Sequence, residues 1–150
     1  MITRTSAEGK ELIKAFEGFA ARPYICPAGY WTIGYGHLIT YDDALPLRWR
    51  GQVLTEEMAL HILESDLTVR EKAVMRLVDV PLTQGQFDAL VSFVYNLGAG
   101  RLQVSTLRRR LNRGDYDGVP SELGKWVYSK GQKLGGLVRR RAAEVIMWNA

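Results

Sequence analysis

The sequence predicts an α+β protein with a small N-terminal lobe that carries a β-hairpin, a long linking helix and a helical C-terminal lobe. Two observations predict this class. Residues 22–37 combine prolines, glycines and β-forming residues, which favours a hairpin that turns at Pro27-Ala28-Gly29. The segment at about 55–80 then keeps a helical period, with acidic residues in its first turn and basic residues towards its end. We expect a single domain, with lobes at about 1–54 and 81–150 joined by that helix.

Each lobe carries sequence signals that predict where its helices begin and end. Thr5-Ser6-Ala7-Glu8 has the spacing of a capping box, which predicts the start of a helix, and Gly18 is suited to end it. Residues 38–54 are irregular, with room for one more short strand. In the C-terminal lobe, Thr83-Gln84-Gly85-Gln86 is a second capping box. Further helical patterns follow at about 102–113, 115–127 and 137–148.

Composition excludes several classes of protein. The chain has 20 Lys+Arg against 16 Asp+Glu, a net charge of +4 that favours an anionic partner: nucleic acid, an anionic membrane face or bacterial cell-wall polymer. One cysteine excludes an intrachain disulfide and a zinc site built from several cysteines. The N-terminal residues carry charges throughout, and no segment reaches spanning length. We therefore expect a soluble, cytosolic protein with no signal peptide, no transmembrane segment and no membrane insertion.

Glu17 is the first candidate functional residue. It follows Ile13 by four residues, so it shares a face with the apolar stripe of the first helix, and it stands at the end of that helix before Gly18. Burial and the negative end of the helix dipole both disfavour the charged carboxylate. A carboxyl that stays protonated near neutral pH is suited to general acid catalysis. The alternative is a surface glutamate paired with Lys14.

The segment WTIGYGH, residues 31–37, alternates between bulky and small residues. Its small face consists of Thr32, Gly34 and Gly36, and it leaves the backbone open to close approach by a ligand. A sugar ring suits such a floor, because it needs backbone hydrogen bonds and nearby aromatic edges. The alternative is that the two glycines only relieve packing or form a bulge.

Cys26 and Thr32 are equidistant from Gly29. A simple hairpin would set them opposite each other on one face, with their Cβ atoms about 5 Å apart. That pair could hold a water molecule. The alternative for Cys26 is a small buried hydrophobic residue.

At these residues the chain resembles the phage-type lysozymes, or endolysins, of glycoside hydrolase family 24. The catalytic signature of that family is Glu, eight residues, Asp or Cys, five residues, Thr, and it is met here by Glu17, Cys26 and Thr32. The segment GYWTIGYGHLIT resembles the hairpin of the family. FVYNLGAG, STLRRRLNRGDY and GGLVRRRAAEVIMW resemble later segments in the same order, so the resemblance covers nearly the whole chain. It implies a lysozyme-like fold.

The resemblance implies a muramidase that hydrolyses the β-1,4 bond between N-acetylmuramic acid and N-acetylglucosamine in bacterial peptidoglycan and so causes host cell lysis. Glu17 would protonate the leaving oxygen, and Cys26 and Thr32 would flank the attacking water in a single inverting displacement. Cys26 replaces the Asp of other members and leaves no obvious second carboxylate, so two roles stay open for it. A thiolate could act as the base, or Cys26 only orients water. No cofactor and no metal are implied.

The saccharide contacts come from two sources. The strand pattern gives Gly34 and Gly36, and the resemblance adds Leu38, Tyr95 and Thr106 as cleft positions. Leu38 and Tyr95 could instead be core residues, and Thr106 a helix cap. His37 is expected to be a structural hydrogen-bonding residue at a strand end rather than a catalytic base.

The implied partners are peptidoglycan glycan strands and a separate membrane pore protein, a holin. Some family members carry a signal-arrest-release segment, and we expect none in this protein. We therefore expect the protein to stay in the host bacterial cytoplasm until a pore releases it to the cell wall. We expect it to act as a monomer and not to bind nucleic acid.

Two arginine runs, 108–110 and 139–141, raise a rival hypothesis from another class, a basic nucleic-acid-binding module. Three consecutive helical residues fan over about 200°, so neither run forms one flat stripe. Arg140 and Glu144 also have the spacing of a helical ion pair. We interpret the runs mainly as solvated faces that help adhesion to anionic wall polymers.

A closer rival is a lytic transglycosylase, which also works with one glutamate but needs no attacking water and gives 1,6-anhydro products. The Cys26 and Thr32 pair counts against it, because such a pair matters only if water must be placed. Chitinase-like action on a related polymer is a third possibility.

Overall fold

The computed structural model describes residues 1–40 and 53–150. They form two compact units, one of Ile13–Leu67 and one of Met1–Leu12 with Thr68–Ala150. The elements in chain order are α1 (Ala7–Glu17), β1 (Ala20–Ile25), β2 (Trp31–Gly34), β3 (His37–Leu38), α2 (Glu56–Leu77), α3 (Gln84–Leu97), α4 (Ala99–Gln103), α5 (Thr106–Asn112), α6 (Val119–Leu123), β4 (Tyr128–Ser129), β5 (Gln132–Lys133) and α7 (Gly135–Asn149). The predicted α+β class, with its hairpin and the long helix α2, is confirmed. Among these residues no helix has both the length and the apolar character to cross a bilayer.

The unit of Ile13–Leu67 is built on a three-stranded antiparallel sheet in the order β1–β2–β3. Its first hairpin turns where the sequence predicts. The Gly29 N–H donates to the Cys26 carbonyl across 2.8 Å, and Gly29 has a φ of 91°. The further strand expected within 38–54 falls mostly on residues 41–52, which lie outside the described residues.

β2 ends earlier than the alternation predicts. The expected strand ran to residue 37, but β2 stops at Gly34. Gly34 and Gly36 take φ values of 65° and 72°, in a turn that leads into β3. The two-residue period therefore breaks at this turn. Tyr35 is buried within it, and its hydroxyl donates to Glu56 Oε1 across 3.0 Å.

The core of this unit combines apolar residues from α1, β2 and α2. Its fully or almost fully buried members are Ile13, Ile33, Leu54, Ala59, Leu63 and Leu67. His37 Nδ1 lies 2.8 Å from Asp66 Oδ2 and ties β3 to α2, which agrees with the structural role expected for this histidine.

In the other unit, α3 is largely buried and packs against α7. It begins at the predicted capping box: Thr83 Oγ1 accepts from the Gln86 N–H, and Gln86 Oε1 accepts from the Thr83 N–H. The helical patterns expected at 102–113 and 115–127 are divided among the short helices α4, α5 and α6. β4 and β5 form a small hairpin that the sequence did not predict, because strands of two residues are too short to show a period.

The first capping box is displaced by one residue. Ser6, not Thr5, caps α1, because Ser6 Oγ accepts from the Gly9 N–H across 3.1 Å. Thr5 is buried, and its N–H and hydroxyl both donate to Glu71 Oε2, at 2.6 and 2.7 Å. Thr5 therefore ties the N-terminal residues to the second half of α2.

The second arginine run is largely buried, which corrects the prediction of a solvated face. Arg140 and Arg141 are 3% and 1% exposed, and they surround the fully buried Glu144. The expected Arg140–Glu144 pair is present at 3.7 Å, but Arg141 Nε lies closer, 2.7 Å from Glu144 Oε1. Ser92 donates to Glu144 Oε2 across 2.6 Å and links α3 to α7. Burial raises the pKa of Glu144, and its neighbours Arg141, Ser92 and Arg140 oppose that rise.

The first arginine run is only partly solvated. Arg110 pairs with Asp115 at 2.8 Å and with Glu122 at 3.1 Å. Arg108 donates to the Leu77 carbonyl across 2.8 Å, whereas Arg109 is exposed. The guanidinium groups of both runs are thus largely used inside the protein.

Candidate active site

Glu17 is the last residue of α1. Gly18 ends the helix as predicted, with a φ of 71° and an N–H that donates to the Lys14 carbonyl across 2.9 Å. Ile13, one turn earlier, is fully buried, whereas Glu17 is half-buried. The carboxyl is therefore less enclosed than its shared face with Ile13 predicted, and a ligand can reach it.

Gly36 leaves the space in which the Glu17 carboxyl lies. A Cβ atom at Gly36 would stand 2.5 Å from Glu17 Oε1 and 3.0 Å from its Cδ. The first distance is shorter than real contacts and the second is at their limit, so a larger residue at position 36 would force the carboxyl to move. The turn after β2 thus brings the end of the strand against the end of α1.

The hairpin register differs from the prediction. The turn spans Cys26 to Gly29, the Cys26 N–H donates to the Tyr30 carbonyl across 2.9 Å, and Thr32 pairs with Tyr24. Cys26 and Thr32 are therefore diagonal neighbours on one face rather than direct opposites. Thr32 still acts on the thiol, because it is one of the groups that lower the pKa of Cys26. One step of the ladder separates the two residues.

The surroundings of Cys26 lower the pKa of its thiol. Burial alone would raise the pKa of the thiol, but hydrogen bonds from Tyr30, Thr32, Ala28 and Gly29 outweigh it and lower the pKa below its ordinary value. Thr32 is 2% exposed, and its hydroxyl donates to the Tyr30 carbonyl across 3.0 Å.

Tyr24 lies among these residues, although the sequence pattern did not predict it as a site residue. It opposes Thr32 in the β1–β2 pair and precedes Cys26 by two residues, so the three side chains share one face. Burial, then the charge of Glu17, then that of Cys26 raise the pKa of Tyr24. Its phenol is therefore within electrostatic reach of both groups. Alternation along β1 does place Tyr24 and Cys26 on one face. The register expected from the sequence, however, put Cys26 rather than Tyr24 opposite Thr32.

The other two predicted saccharide contacts of this unit, Gly34 and Leu38, differ in exposure. Gly34 is buried, and a Cβ there would lie 3.3 Å from Leu54 Cδ2 and 3.5 Å from Ala59 Cβ. The open strand face expected at Gly34 is therefore absent, and its burial weighs against a saccharide contact. Leu38 opposes Thr32 in the β2–β3 pair and is 42% exposed, so it is not a core residue.

Tyr95 and Thr106 belong to the other unit. Tyr95 is 8% exposed, and the Arg70 guanidinium lies 4.9 Å from the centre of its ring. Thr106 is the first residue of α5 and is exposed, while Ser105 is the cap that accepts from the Arg108 N–H. Thr106 is thus not the helix cap of the alternative interpretation.

Comparison with known proteins assigns this arrangement to a class. The family model described as phage lysozyme matches residues 14–144. The endolysin of Acyrthosiphon pisum secondary endosymbiont phage 1 is 39% identical over 149 residues, which cover 97% of each chain. The muramidase domain of SpmX from Asticaccaulis excentricus is 37% identical, with a TM-score of 0.85 and 99% of each chain covered. The endolysin from Escherichia coli O157:H7 phage FAHEc1 is 36% identical, with a TM-score of 0.83 over 99% of this chain and 93% of the other.

These findings define a lysozyme-type glycosidase, an enzyme that lyses peptidoglycan. The chain belongs to the phage lysozyme family. The suspected resemblance and the lysozyme-like fold are both confirmed.

Proposed function

We propose that the protein is an endolysin that hydrolyses the β-1,4 bond between N-acetylmuramic acid and N-acetylglucosamine and so lyses the host cell. Glu17 is the general acid, and Cys26 with Thr32 places the attacking water. The observation that carries the proposal is that one face of the hairpin brings the Cys26–Thr32 pair within electrostatic reach of the same phenol as Glu17. The muramidase name of one relative, at 37% identity, supports the choice of bond.

The reaction follows from the chemistry of these groups. Glu17 gives its proton to the bridging oxygen as the bond to the anomeric carbon breaks. Water held by Cys26 and Thr32 attacks that carbon, and the proton released by the water passes to the sulfur or to solvent. The products gain the elements of one water molecule, with a hydroxyl on the anomeric carbon and a hydrogen on the leaving oxygen.

The saccharide contacts follow as part of the proposal. Gly36 presents its backbone beside Glu17, and Leu38 stands exposed opposite Thr32. Tyr95 and Thr106 are proposed as contacts because the family resemblance implies them as cleft positions. The substrate is the glycan strand of peptidoglycan, and no metal or cofactor takes part.

Release to the cell wall is proposed to depend on a holin. Induced alone in host cells, the protein should leave the culture density unchanged, and co-expression of a pore protein should cause lysis. Lysis at equal expression without the pore protein would contradict this dependence.

Glu17→Gln tests the proposed acid. The variant keeps the shape of the side chain but has no proton to give, so turnover of purified peptidoglycan should fall by about 10²–10⁴-fold or more. Thermal unfolding should be unchanged, because Glu17 is only half-buried. Glu57→Gln, at an exposed glutamate of α2, is the matched control and should be fully active. Near-normal turnover by folded Glu17→Gln would refute the assignment.

Mass spectrometry of the digest tests the role of water. Hydrolysis leaves reducing muramic ends, whereas a transglycosylase leaves 1,6-anhydro ends that are lighter by one water. We expect reducing ends throughout. Anhydro ends as the main product would establish the transglycosylase, and cleavage of chitin but not of peptidoglycan would establish the third hypothesis.

A further inference from the structure

We propose that Tyr24 contacts the saccharide in the active site, and that its hydroxyl donates a hydrogen bond to the sugar held between Glu17 and the Cys26–Thr32 pair. The inference rests on the proposed function. It adds a residue outside the signature of glutamate, cysteine and threonine.

The position of Tyr24 gives the first argument. Strand pairing sets it directly opposite Thr32, and alternation sets it on the same face as Cys26. Both Glu17 and Cys26 act electrostatically on its phenol. A sugar that reaches the acid on one side and the attacking water on the other must therefore pass the Tyr24 ring.

The state of the hydroxyl gives the second argument. Burial and the neighbouring negative charges of Glu17 and Cys26 all disfavour a phenolate, so the group remains an O–H donor at neutral pH. Within residues 1–40 and 53–150, no hydrogen bond engages this hydroxyl. Sugar hydroxyl and acetamide oxygens are acceptors that such a donor can serve.

A comparison with Tyr35 in the same unit argues against a packing role. Tyr35 is 6% exposed, stacks with Phe19 at 5.6 Å between ring centres, and donates to Glu56. Tyr24 is 39% exposed. Tyr35 thus holds the fold together, whereas Tyr24 keeps both its ring and its donor available at the surface.

The test removes only the oxygen. Tyr24→Phe is prepared in the native chain and in the Glu17→Gln background, in which the probe is not consumed. The probe is a tetrasaccharide of alternating N-acetylglucosamine and N-acetylmuramic acid without stem peptides. Its Kd is measured by calorimetry in the Glu17→Gln background, and kcat and KM are measured in the native one. Tyr128→Phe, at a tyrosine of β4 that is 58% exposed, is the matched control.

Loss of one neutral hydrogen bond should weaken binding of the probe by about three- to tenfold. KM should rise by a similar factor while kcat changes little, since the contact is made to the bound substrate as well as to the transition state. The midpoint of thermal unfolding should stay within about 1 °C, because the hydroxyl supports no other group. Tyr128→Phe should leave Kd unchanged.

Two other outcomes distinguish a failure of the Tyr24 inference from a failure of the proposed function. If Glu17→Gln is inactive but Tyr24→Phe alters neither Kd nor KM, the Tyr24 inference is wrong and the proposed function stands. If Glu17→Gln turns over peptidoglycan normally, the proposed function is wrong, and the inference that rests on it is wrong too. A loss of stability that parallels the loss of binding would also overturn the inference, because it would assign Tyr24 a packing role.

Discussion

Two glutamates show how differently the two units use the same side chain. Glu17 ends α1, is half-buried, and lies against the bare backbone of Gly36. Glu144 sits inside α7, is fully buried, and is held by Arg141 and Ser92. Burial is the property that first suggests a catalytic carboxyl, yet the carboxyl proposed as the acid is the less buried of the two. A proton donor must be reachable by substrate, and Glu144 is enclosed by its partners.

The largest effect expected from this comparison is on stability, at Glu144. Glu144→Gln removes the charge but keeps the shape, and it leaves Arg140 and Arg141 buried without their counter-ion. Breaking a buried pair in this way costs about 3–5 kcal/mol. For a chain of this size, that lowers the midpoint of thermal unfolding by roughly 6–20 °C. The exposed Glu57→Gln should change the midpoint by no more than about 1–2 °C.

Measured below the transition, folded Glu144→Gln should keep its activity on peptidoglycan, in contrast to Glu17→Gln. A loss of stability under about 1 kcal/mol would instead indicate that burial keeps Glu144 protonated in the native protein. Its neutral replacement would then cost little.

A second comparison sets Gly36 against Gly34. Both have a positive φ, so an alanine at either position carries a similar backbone cost of roughly 1–2 kcal/mol. Only at Gly36 would the new methyl group overlap the Glu17 carboxyl, whereas at Gly34 it would touch Leu54 and Ala59. Displacement of a catalytic group by about 1 Å can cost up to about 10²-fold in rate. Gly36→Ala should therefore lose far more activity than Gly34→Ala at a similar loss of stability.

The measurement is kcat/KM on peptidoglycan beside thermal unfolding of both variants. Equal losses of activity would show that Gly36 only shapes the turn.

The sequence predicted the signature residues and the hairpin but not the register that relates them. Gly29 marks the turn correctly, but the turn spans four residues from Cys26, so symmetry about Gly29 misplaces Thr32 by one step of the ladder. Local sequence does not fix that step, because it depends on which carbonyl of the opposite strand each N–H meets. Tyr24 was missed for this reason alone.

The buried arginines were missed for a different reason. An i,i+4 spacing predicts that Arg140 and Glu144 meet, but it does not reveal whether the pair faces solvent or another helix. Here α3 supplies Ser92 to the same cluster. That contact comes from packing between helices distant in the sequence, which a single sequence does not show.

A smaller effect is expected at Cys26, where the family signature allows Asp or Cys. Cys26→Ala removes one of the two groups proposed to hold the water, so activity should fall by about tenfold or more. Cys26→Asp should keep substantial activity, because a carboxylate can accept the same backbone hydrogen bonds.

Iodoacetamide should inactivate the native enzyme by alkylating Cys26, and a bound glycan should slow the inactivation. Full activity of Cys26→Ala would show that Cys26 is only a packing residue.

The smallest effect separates the two roles left open for Cys26, and it is a shift in a pH profile. If the thiolate is the base, the alkaline limb of kcat/KM must depend on the lowered pKa of Cys26. In Cys26→Asp no thiol titrates at this position, so that dependence should be lost. We expect the alkaline limb to differ between the two proteins, as measured on a soluble glycan between about pH 6 and 10. An identical alkaline limb in both proteins would show that Cys26 acts as a neutral thiol that only orients water.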